Sequence, residues 1–228
     1  MNSDASCWDN DYGQRGRLWG GAVHNLPPIG SGSRVLELGC GNGKTFSALA
    51  SRGLAVTAID FSSRAAMMSH RLALHTGTGE VAIADARQLP FSTGTFDAVI
   101  AFHVIGHMCK EDRARIAIES TRVLRQNGML WFSGFARDEL RSGKGRQVEP
   151  QTFERANGTV THYFTEPEVE VLFSGLVPVK VATERWTMRV RGKDHVRAEV
   201  VGIFSKKSAG ASLNRQTPVI SIANSLMN

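Results

Sequence analysis

The sequence predicts a doubly wound α/β fold with a mostly parallel seven-stranded sheet, an antiparallel C-terminal hairpin and helices on both faces. The first observation is a series of short apolar runs rich in β-branched residues, namely Val35–Leu38, Ala55–Ile59, Val81–Ala84, Phe96–Phe102 and Met129–Phe135. The second is that segments long enough for helices separate most of these runs, an alternation typical of parallel strands with right-handed crossovers. The third is a pair of strand-like stretches, 177–191 and 196–204, joined through a turn at 192–194.

Capping residues and apolar periodicity predict the helices. Ser62 is placed to cap a helix that runs to His75, and a partial apolar stripe predicts another over residues 111–125. Thr165 and Glu168 form a capping box, and Gly175 stands where a left-handed residue would end the helix. We therefore predict a helix of about nine residues after Thr165.

The segment 136–163 is polar and is predicted to be an inserted lid. Within it, Asn157-Gly158 separates two strand-like pieces, 152–155 and 159–164, as a type I′ hairpin requires. We expect the lid to interrupt a Rossmann-like domain over residues 34–207. An N-terminal flap or helix over 1–33 would precede that domain, and a mobile tail over 208–228 would follow it.

Composition narrows the class of protein. The 228 residues, 42% of them hydrophobic, suffice for one sizeable core, and we expect a monomer or homodimer. The net charge of +6 could indicate nucleic-acid binding, but basic and acidic residues are spread evenly, which favours an ordinary solvated surface.

No apolar run approaches the ~18 residues of a membrane span or forms a signal peptide, so we expect a cytoplasmic protein without membrane contact. The three cysteines, Cys7, Cys40 and Cys109, are too irregularly spaced for a disulfide framework or a zinc site, and we expect no metal.

The stretch from Arg34 to Lys44 carries the strongest chemical signal. A strand runs directly into Gly39, Gly41 and Gly43 and then into a helix, a turn that needs glycine because backbone must approach a ligand closely. The spacing departs from the Gly-x-Gly-x-x-Gly of dinucleotide folds. Glu37, just before the glycines, would repel a pyrophosphate but suits the cationic end of a cofactor that carries an amino acid.

Two further carboxylates follow the next strands. Asp60 ends the second run, where it can accept hydrogen bonds from both hydroxyls of a ribose. Asp85 follows the third run and can accept from an adenine amino group, while the amide of Ala86 donates to the ring. Because ligands of open α/β sheets bind at the carboxyl ends of the strands, these residues predict an adenosine site.

Residues 34–135 resemble the core of class I S-adenosylmethionine-dependent methyltransferases, particularly the group that acts on small molecules or tRNA. The matching stretches are 35–44, 58–62, 84–91, 96–102 and 122–130, although Gln126-Asn127-Gly128 replaces the frequent Pro-Gly-Gly. The resemblance implies S-adenosyl-L-methionine as methyl donor and S-adenosyl-L-homocysteine as product. It implies that the glycines and Glu37 surround the methionine portion, that Asp60 holds the ribose, and that Phe61 packs on an adenine held by Asp85 and Ala86. Neighbouring residues expected to contribute to this site are Cys40, Lys44, Ser62, Phe102 and His103.

Candidate catalytic residues lie outside the glycine motif. His103 follows the fourth strand, where family members place substrate or cofactor contacts, and is the first choice as base or orienter. His107 follows four residues later, but without a third ligand a metal role is not favoured. His162 and Tyr163, beside the lid hairpin, could face the acceptor, and His162 is a further catalytic candidate, although a strand position that alternates faces explains both residues too.

The N-terminal stretch from Trp8 to Gly21 resembles the flap that closes over the cofactor in related enzymes. In that interpretation Tyr12 or Arg17 meets the cofactor carboxylate and Trp19 excludes water. The alternative is that these aromatic residues only anchor a helix to the sheet. Trp186, Arg189 and Arg191, which alternate along a C-terminal strand, are expected to form a solvated sheet face.

The predicted function is methyl transfer to a small molecule or metabolite by in-line displacement. A tRNA base-modifying methyltransferase, a protein methyltransferase, and a non-catalytic cofactor-binding protein of the same fold are the alternatives, since fold alone does not establish activity.

Overall fold

The structure, a computed structural model, describes residues 3–18, 26–190 and 192–207. The predicted cofactor contact of Trp19, the predicted exposed position of Arg191 and the predicted mobility of the tail over 208–228 therefore lie outside the described residues.

Strands and helices alternate through most of the chain. The strands are β1 (Arg34–Leu38), β2 (Ala55–Asp60), β3 (Glu80–Ile83), β4 (Phe96–Phe102), β5 (Leu124–Phe135), β6 (Arg146–Glu149), β7 (Thr152–Glu154), β8 (Val160–His162), β9 (Val177–Val190) and β10 (Lys193–Ser205). The helices are α1 (Ser3–Arg15), α2 (Lys44–Ala50), α3 (Ser63–Thr76), α4 (Lys110–Val123) and α5 (Glu166–Leu172), with a 3₁₀ turn at Ile105–His107.

The main sheet has seven strands in the order β3-β2-β1-β4-β5-β10-β9. The first five in this order pair in parallel, whereas β10 runs antiparallel to both of its neighbours, β5 and β9. This arrangement confirms the predicted fold class, including the antiparallel C-terminal hairpin.

The central strands are buried on both faces, as their continuous apolar runs predict. Val99, Ile100 and Ala101 of β4 have no exposed surface. One core cluster contains Ile116 and Val123 of α4, and a second contains Phe46 and Leu49 of α2. Helices therefore cover both faces and hold the strand ends in fixed positions.

The helix boundaries follow the capping signals in one case and depart from them in another. Ser62 caps α3 as predicted, because its side chain accepts from the amide of Ala65 at 3.2 Å. The predicted capping box of α5 is not complete, since the Thr165 side chain makes no cap hydrogen bond. The predicted left-handed stop at Gly175 is wrong: α5 ends after seven residues, with Phe173 at φ −104° as its cap. Phe173 is buried against aromatic side chains of the core, so the helix ends at a residue held by packing.

Strands β6, β7 and β8 form a separate three-stranded antiparallel sheet within the predicted lid. The hairpin between β7 and β8 is therefore confirmed, but its type I′ turn is wrong. Gly158 has a φ of 81°, whereas Asn157 is not among the described residues with positive φ. The Asn157 side chain instead accepts from the amide and hydroxyl of Thr159, and the Gly158 amide donates to Arg155 O at 2.9 Å. A single left-handed glycine after a tight turn thus closes the hairpin.

Among the described helices, none combines the length and the hydropathy that crossing a membrane would need.

Candidate cofactor and acceptor site

A continuous cleft of about 1130 Å³ opens at the carboxyl ends of the parallel strands and extends to the β9–β10 hairpin. One part, here called the strand-end half, is lined by Glu37, Gly39, Gly41, Lys44, Asp60, Phe61, Asp85, Ala86 and Phe102. The other part, the hairpin half, is lined by Phe135, Arg141, Lys180, Glu184, Arg185, Trp186, Arg197 and Glu199. His103 lines the cleft where the two halves meet. Most of the predicted cofactor residues are therefore brought together.

The glycines between β1 and α2 pack against different neighbours. Gly39 has a φ of 65°, and a Cβ there would lie 2.5 Å from Val104 Cγ2. Gly43 does not line the cleft; a Cβ there would lie 2.6 Å from Leu72 and 2.9 Å from the Ser69 hydroxyl. A glycine is thus required at this position for packing against α3. Its contact with the cofactor stays a prediction. Two more predicted contacts, Cys40 and Ser62, are buried outside the cleft lining.

Asp60 is held at the end of β2 by backbone donors. Its carboxylate accepts from the amides of Gly41 and Ser62, each at 2.9 Å, which ties the glycine turn to the start of α3. Burial raises the pKa of Asp60 to about 6, even though these two amides favour the charged form.

Glu37 is a buried carboxyl group with an unmet hydrogen-bonding need. It is 4% exposed, and its Oε2 atom has no hydrogen-bond partner. Burial, and then the nearby Asp60 carboxylate, raise the pKa of Glu37 well above its usual value. Buried polar atoms are nearly always hydrogen-bonded, so this oxygen is suited to a cationic donor in the cleft.

Asp85 lines the cleft but is already paired. The Arg87 guanidinium donates to both of its oxygens at 2.6–3.0 Å and also reaches Asp112 at 2.7 Å. Although burial acts to raise it, these hydrogen bonds hold the pKa of Asp85 below its usual value. Arg87, which the sequence interpretation did not include, therefore fixes the orientation of Asp85.

His103 occupies a strained position beside the hairpin. Its φ is 53°, its ring lies 4.7 Å from that of Phe135, and its Nε2 lies 3.2 Å from Glu199 Oε1. The His103 Nδ1 atom is buried without a hydrogen-bond partner. Strained backbone of this kind clusters at functional sites. Glu199 was missed by sequence reasoning, since alternation along β10 cannot tell which face meets the cleft.

The hairpin half is built around a buried ion pair. Arg197 donates to Glu139 at 2.8 and 2.9 Å, and Glu139 also accepts from the amide of Ala198. The Arg197 guanidinium lies 5.8 Å from the Phe135 ring centre and 5.6 Å from that of Trp186. Trp186 is 42% exposed, as predicted for a solvated sheet face, and it also borders the cleft.

Two of the predicted acceptor-site residues lie elsewhere. His162 is buried outside the cleft lining, with Nδ1 2.8 Å from the Thr152 hydroxyl and Nε2 2.7 Å from Glu168. Both of its ring nitrogens are thus engaged in holding the lid sheet against α5. Tyr163 is also buried there, and its hydroxyl donates to Arg141 O.

His107 lines the cleft, but as a neutral packing residue. Its Nδ1 lies 2.8 Å from Val160 O, and Trp8 packs edge-on against its ring at 4.9 Å. Burial lowers the pKa of His107 to about 4. The imidazole is therefore uncharged at neutral pH.

Helix α1 forms one rim of the cleft. Trp8 and Tyr12 line the cleft, and Tyr12 is buried. Asp9 accepts from the hydroxyls of Ser62 and Ser63 and from the amide of Arg64 at the start of α3. Arg17, predicted to meet the cofactor, is exposed and outside the cleft lining.

The strand-end half of the cleft lies in the part of the chain that is similar to known methyltransferases. A family profile described as a methyltransferase domain matches residues 36–132. The 2-methyl-6-phytyl-1,4-hydroquinone methyltransferase of Synechocystis sp. is 31% identical over 75% of this chain and 53% of its own length. A SAM-dependent methyltransferase of Methanosarcina mazei shares the fold with a TM-score of 0.66, at 23% identity over 81% of this chain and 99% of that one. The tRNA N(3)-methylcytidine methyltransferase Mettl2 of Drosophila melanogaster is 28% identical over 87% of this chain and 70% of its own length.

Residues 36–132 match a methyltransferase domain, and the chain has the fold of class I S-adenosylmethionine-dependent methyltransferases. The cofactor of this methyltransferase is S-adenosylmethionine. The chain spans 70%, 46% and 56% of the length of three related tRNA methyltransferases, from Drosophila melanogaster, Homo sapiens and Gallus gallus. The family match ends at residue 132, so it includes the strand-end half of the methyltransferase cleft and stops before the hairpin half.

Proposed function

We propose that this methyltransferase transfers the methyl group of S-adenosylmethionine to a small molecule that binds in the hairpin half of the cleft. The observation that carries the proposal is the continuity of the cleft between its two halves. Its volume of about 1130 Å³ exceeds the range of about 300–1,000 Å³ typical for one small-molecule ligand. It therefore has room for a donor and an acceptor side by side.

The strand-end residues fit the donor. Glu37 would receive the amino group of the methionine portion, because its buried Oε2 lacks a donor. Asp60 would hold the ribose, and Asp85 and Ala86 the adenine, with Phe61 against the ring. When bound, S-adenosylmethionine supplies a methyl group on a sulfonium that is already activated for in-line displacement, so the protein contributes positioning and exclusion of water.

Glu199, held in place by His103, would remove a proton from the methyl acceptor. With Nε2–H donated to Glu199 Oε1, the second oxygen of Glu199 can receive a proton from an acceptor in the hairpin half. His103 then keeps the carboxylate in place and stabilises its charge. Phe135 and Trp186 offer flat apolar surface for the acceptor, which favours a planar molecule.

A tRNA base is the second candidate acceptor. It is favoured by the match to tRNA methyltransferases, which extends over 87% of this chain and thus beyond the catalytic core. A base turned out of its stack would meet the same aromatic surfaces as a planar metabolite.

One experiment tests the function and separates the two candidates. The protein is incubated with S-adenosylmethionine labelled in the methyl group, together with either the low-molecular-mass fraction of a cell extract or total tRNA. We expect label to enter the low-molecular-mass fraction. Label in tRNA, together with tRNA binding that weakens steeply with salt, would instead support the second candidate. Calorimetry with S-adenosylhomocysteine and with NAD serves as the control, and tight binding of NAD alone would contradict both candidates.

A further inference from the structure

The cationic side chains of the hairpin half differ in whether they have an acidic partner. Arg197 is paired with Glu139, Arg185 with Asp138, and Lys180 with Glu184. Arg141 also lines the cleft and is only partly exposed, yet no carboxylate among the described residues pairs with its guanidinium. Among these cations of the described chain, Arg141 is thus the one that forms no ion pair.

The surroundings of Arg141 add positive charge. Burial lowers the pKa of Arg141, and the nearby guanidinium groups of Arg155 and Arg197 lower it further. The Glu139 carboxylate acts in the opposite direction, but it already accepts two hydrogen bonds from Arg197 and one from the amide of Ala198. Two further guanidinium groups therefore lie near Arg141, and the nearby Glu139 carboxylate is paired with one of them, Arg197. A partly buried charge of this kind is stable only when it is compensated, and an anion would provide that compensation.

Arg141 is also held in a defined place. Its carbonyl oxygen accepts from the hydroxyl of the buried Tyr163 at 2.8 Å. Two successive turns precede and include it, since Glu139 N donates to Ala136 O at 3.1 Å and Ser142 N to Glu139 O at 2.8 Å. The side chain therefore extends from a fixed backbone rather than from a loose loop, as a group that orients a ligand requires.

We propose that the methyl acceptor carries an anionic group, a carboxylate or a phosphate, and that Arg141 binds this group while the planar part of the acceptor lies beside Phe135 and Trp186. The inference rests on the proposed function, because it concerns the acceptor of the same reaction. A guanidinium binds both kinds of anion through paired hydrogen bonds, so Arg141 accommodates either group. Together with the Glu199 carboxylate, it would orient the acceptor between a cation at one end and the proton-accepting pair at the other.

The test uses matched probes that differ in charge. Benzoate, phenyl phosphate and the neutral benzamide are titrated calorimetrically into the full chain, with and without saturating S-adenosylhomocysteine. We expect at least one anion to bind at least tenfold more tightly than benzamide. Tighter binding of benzoate would identify a carboxylate acceptor, and tighter binding of phenyl phosphate a phosphorylated one.

Two variants separate Arg141 from general surface charge. Arg141→Gln should weaken the favoured anion at least tenfold and leave benzamide and S-adenosylhomocysteine affinities unchanged. Arg137→Gln, which alters an exposed arginine four residues away on the same segment, should leave all affinities unchanged. Unchanged anion affinity in Arg141→Gln, or anions that bind no better than benzamide, would overturn the anion site while the proposed function stands. If the unaltered protein does not bind S-adenosylhomocysteine, the proposed function itself is contradicted.

Discussion

Replacing Glu37 by glutamine should make the cofactor-free protein more stable and the cofactor bind more weakly. The substitution keeps the shape of the side chain. It removes the charge of a buried carboxyl group that faces Asp60 and whose Oε2 has no hydrogen-bond donor in the native protein. Removal of the charge relieves its burial penalty and its repulsion by Asp60, so we expect the free energy of unfolding at pH 8 to rise by about 1–3 kcal/mol. A charged hydrogen bond contributes about 1.5–3 kcal/mol, so cofactor affinity should fall about tenfold to a hundredfold.

The pH dependence gives this prediction a second readout. Because the pKa of Glu37 is raised in the folded state, the folded protein binds more protons than the unfolded one at intermediate pH, and stability falls as the pH rises through that range. The gain from Glu37→Gln should therefore shrink as the pH is lowered, because a growing fraction of the native carboxyl group is then protonated. Binding of S-adenosylhomocysteine to the unaltered protein should strengthen with pH, and this slope should decrease in the variant.

Urea unfolding at pH 5 and pH 8, with calorimetry at both, measures these effects. Glu80→Gln is a matched control, because Glu80 is exposed at the start of β3, far from the carboxyl ends of the strands. It should change neither stability nor affinity. A Glu37→Gln protein that is less stable at pH 8, or that binds S-adenosylhomocysteine as tightly as before, would refute the assignment of Glu37 to the amino group.

Other predictions concern the remaining site residues. Asp60→Ala should weaken S-adenosylmethionine binding by about 1–3 kcal/mol in calorimetry, and unchanged affinity would contradict the ribose role. Since the pKa of Asp60 is raised to about 6, the stability of the cofactor-free protein should fall between pH ~4 and pH 6 in urea unfolding, and this fall should be smaller in Asp60→Asn. His103→Ala should reduce methyl transfer in a labelled-donor assay with nearly unchanged cofactor affinity; wild-type turnover would remove His103 from the acceptor site. Gly39→Ala should lower the melting temperature more than Gly77→Ala, because both glycines have positive φ but only Gly39 would collide with a neighbour; equal losses would show that Val104 moves aside.

The strand-end half of the site could be predicted from the sequence because its geometry is local. Glu37, Asp60 and Asp85 each lie at or just after the end of a strand, and parallel strands bring such positions to the same edge of a sheet. No knowledge of distant contacts is needed for this step. For Gly43 the local pattern is ambiguous, because packing against α3 requires a glycine just as the close approach of a ligand would.

The hairpin half could not be predicted in this way. Glu199 and Trp186 belong to strands whose cleft-facing side depends on how β10 pairs with β5, a contact between residues more than sixty positions apart. The surroundings of His162, a catalytic candidate from the sequence, also depend on distant contacts. Only the folded chain shows that Thr152 and Glu168 occupy both of its nitrogens.

The position of β10 also constrains how the protein is made. Strand β10 follows β9 in the chain but lies between β5 and β9 in the sheet. During synthesis, the edge of β5 therefore stays unpaired until the ribosome has released the chain through about Ser205. Unpaired edges favour aggregation, so the nascent protein passes through a stage in which a buried apolar strand is open to other chains. We expect its yield in cells to depend on chaperones more strongly than its final stability would indicate.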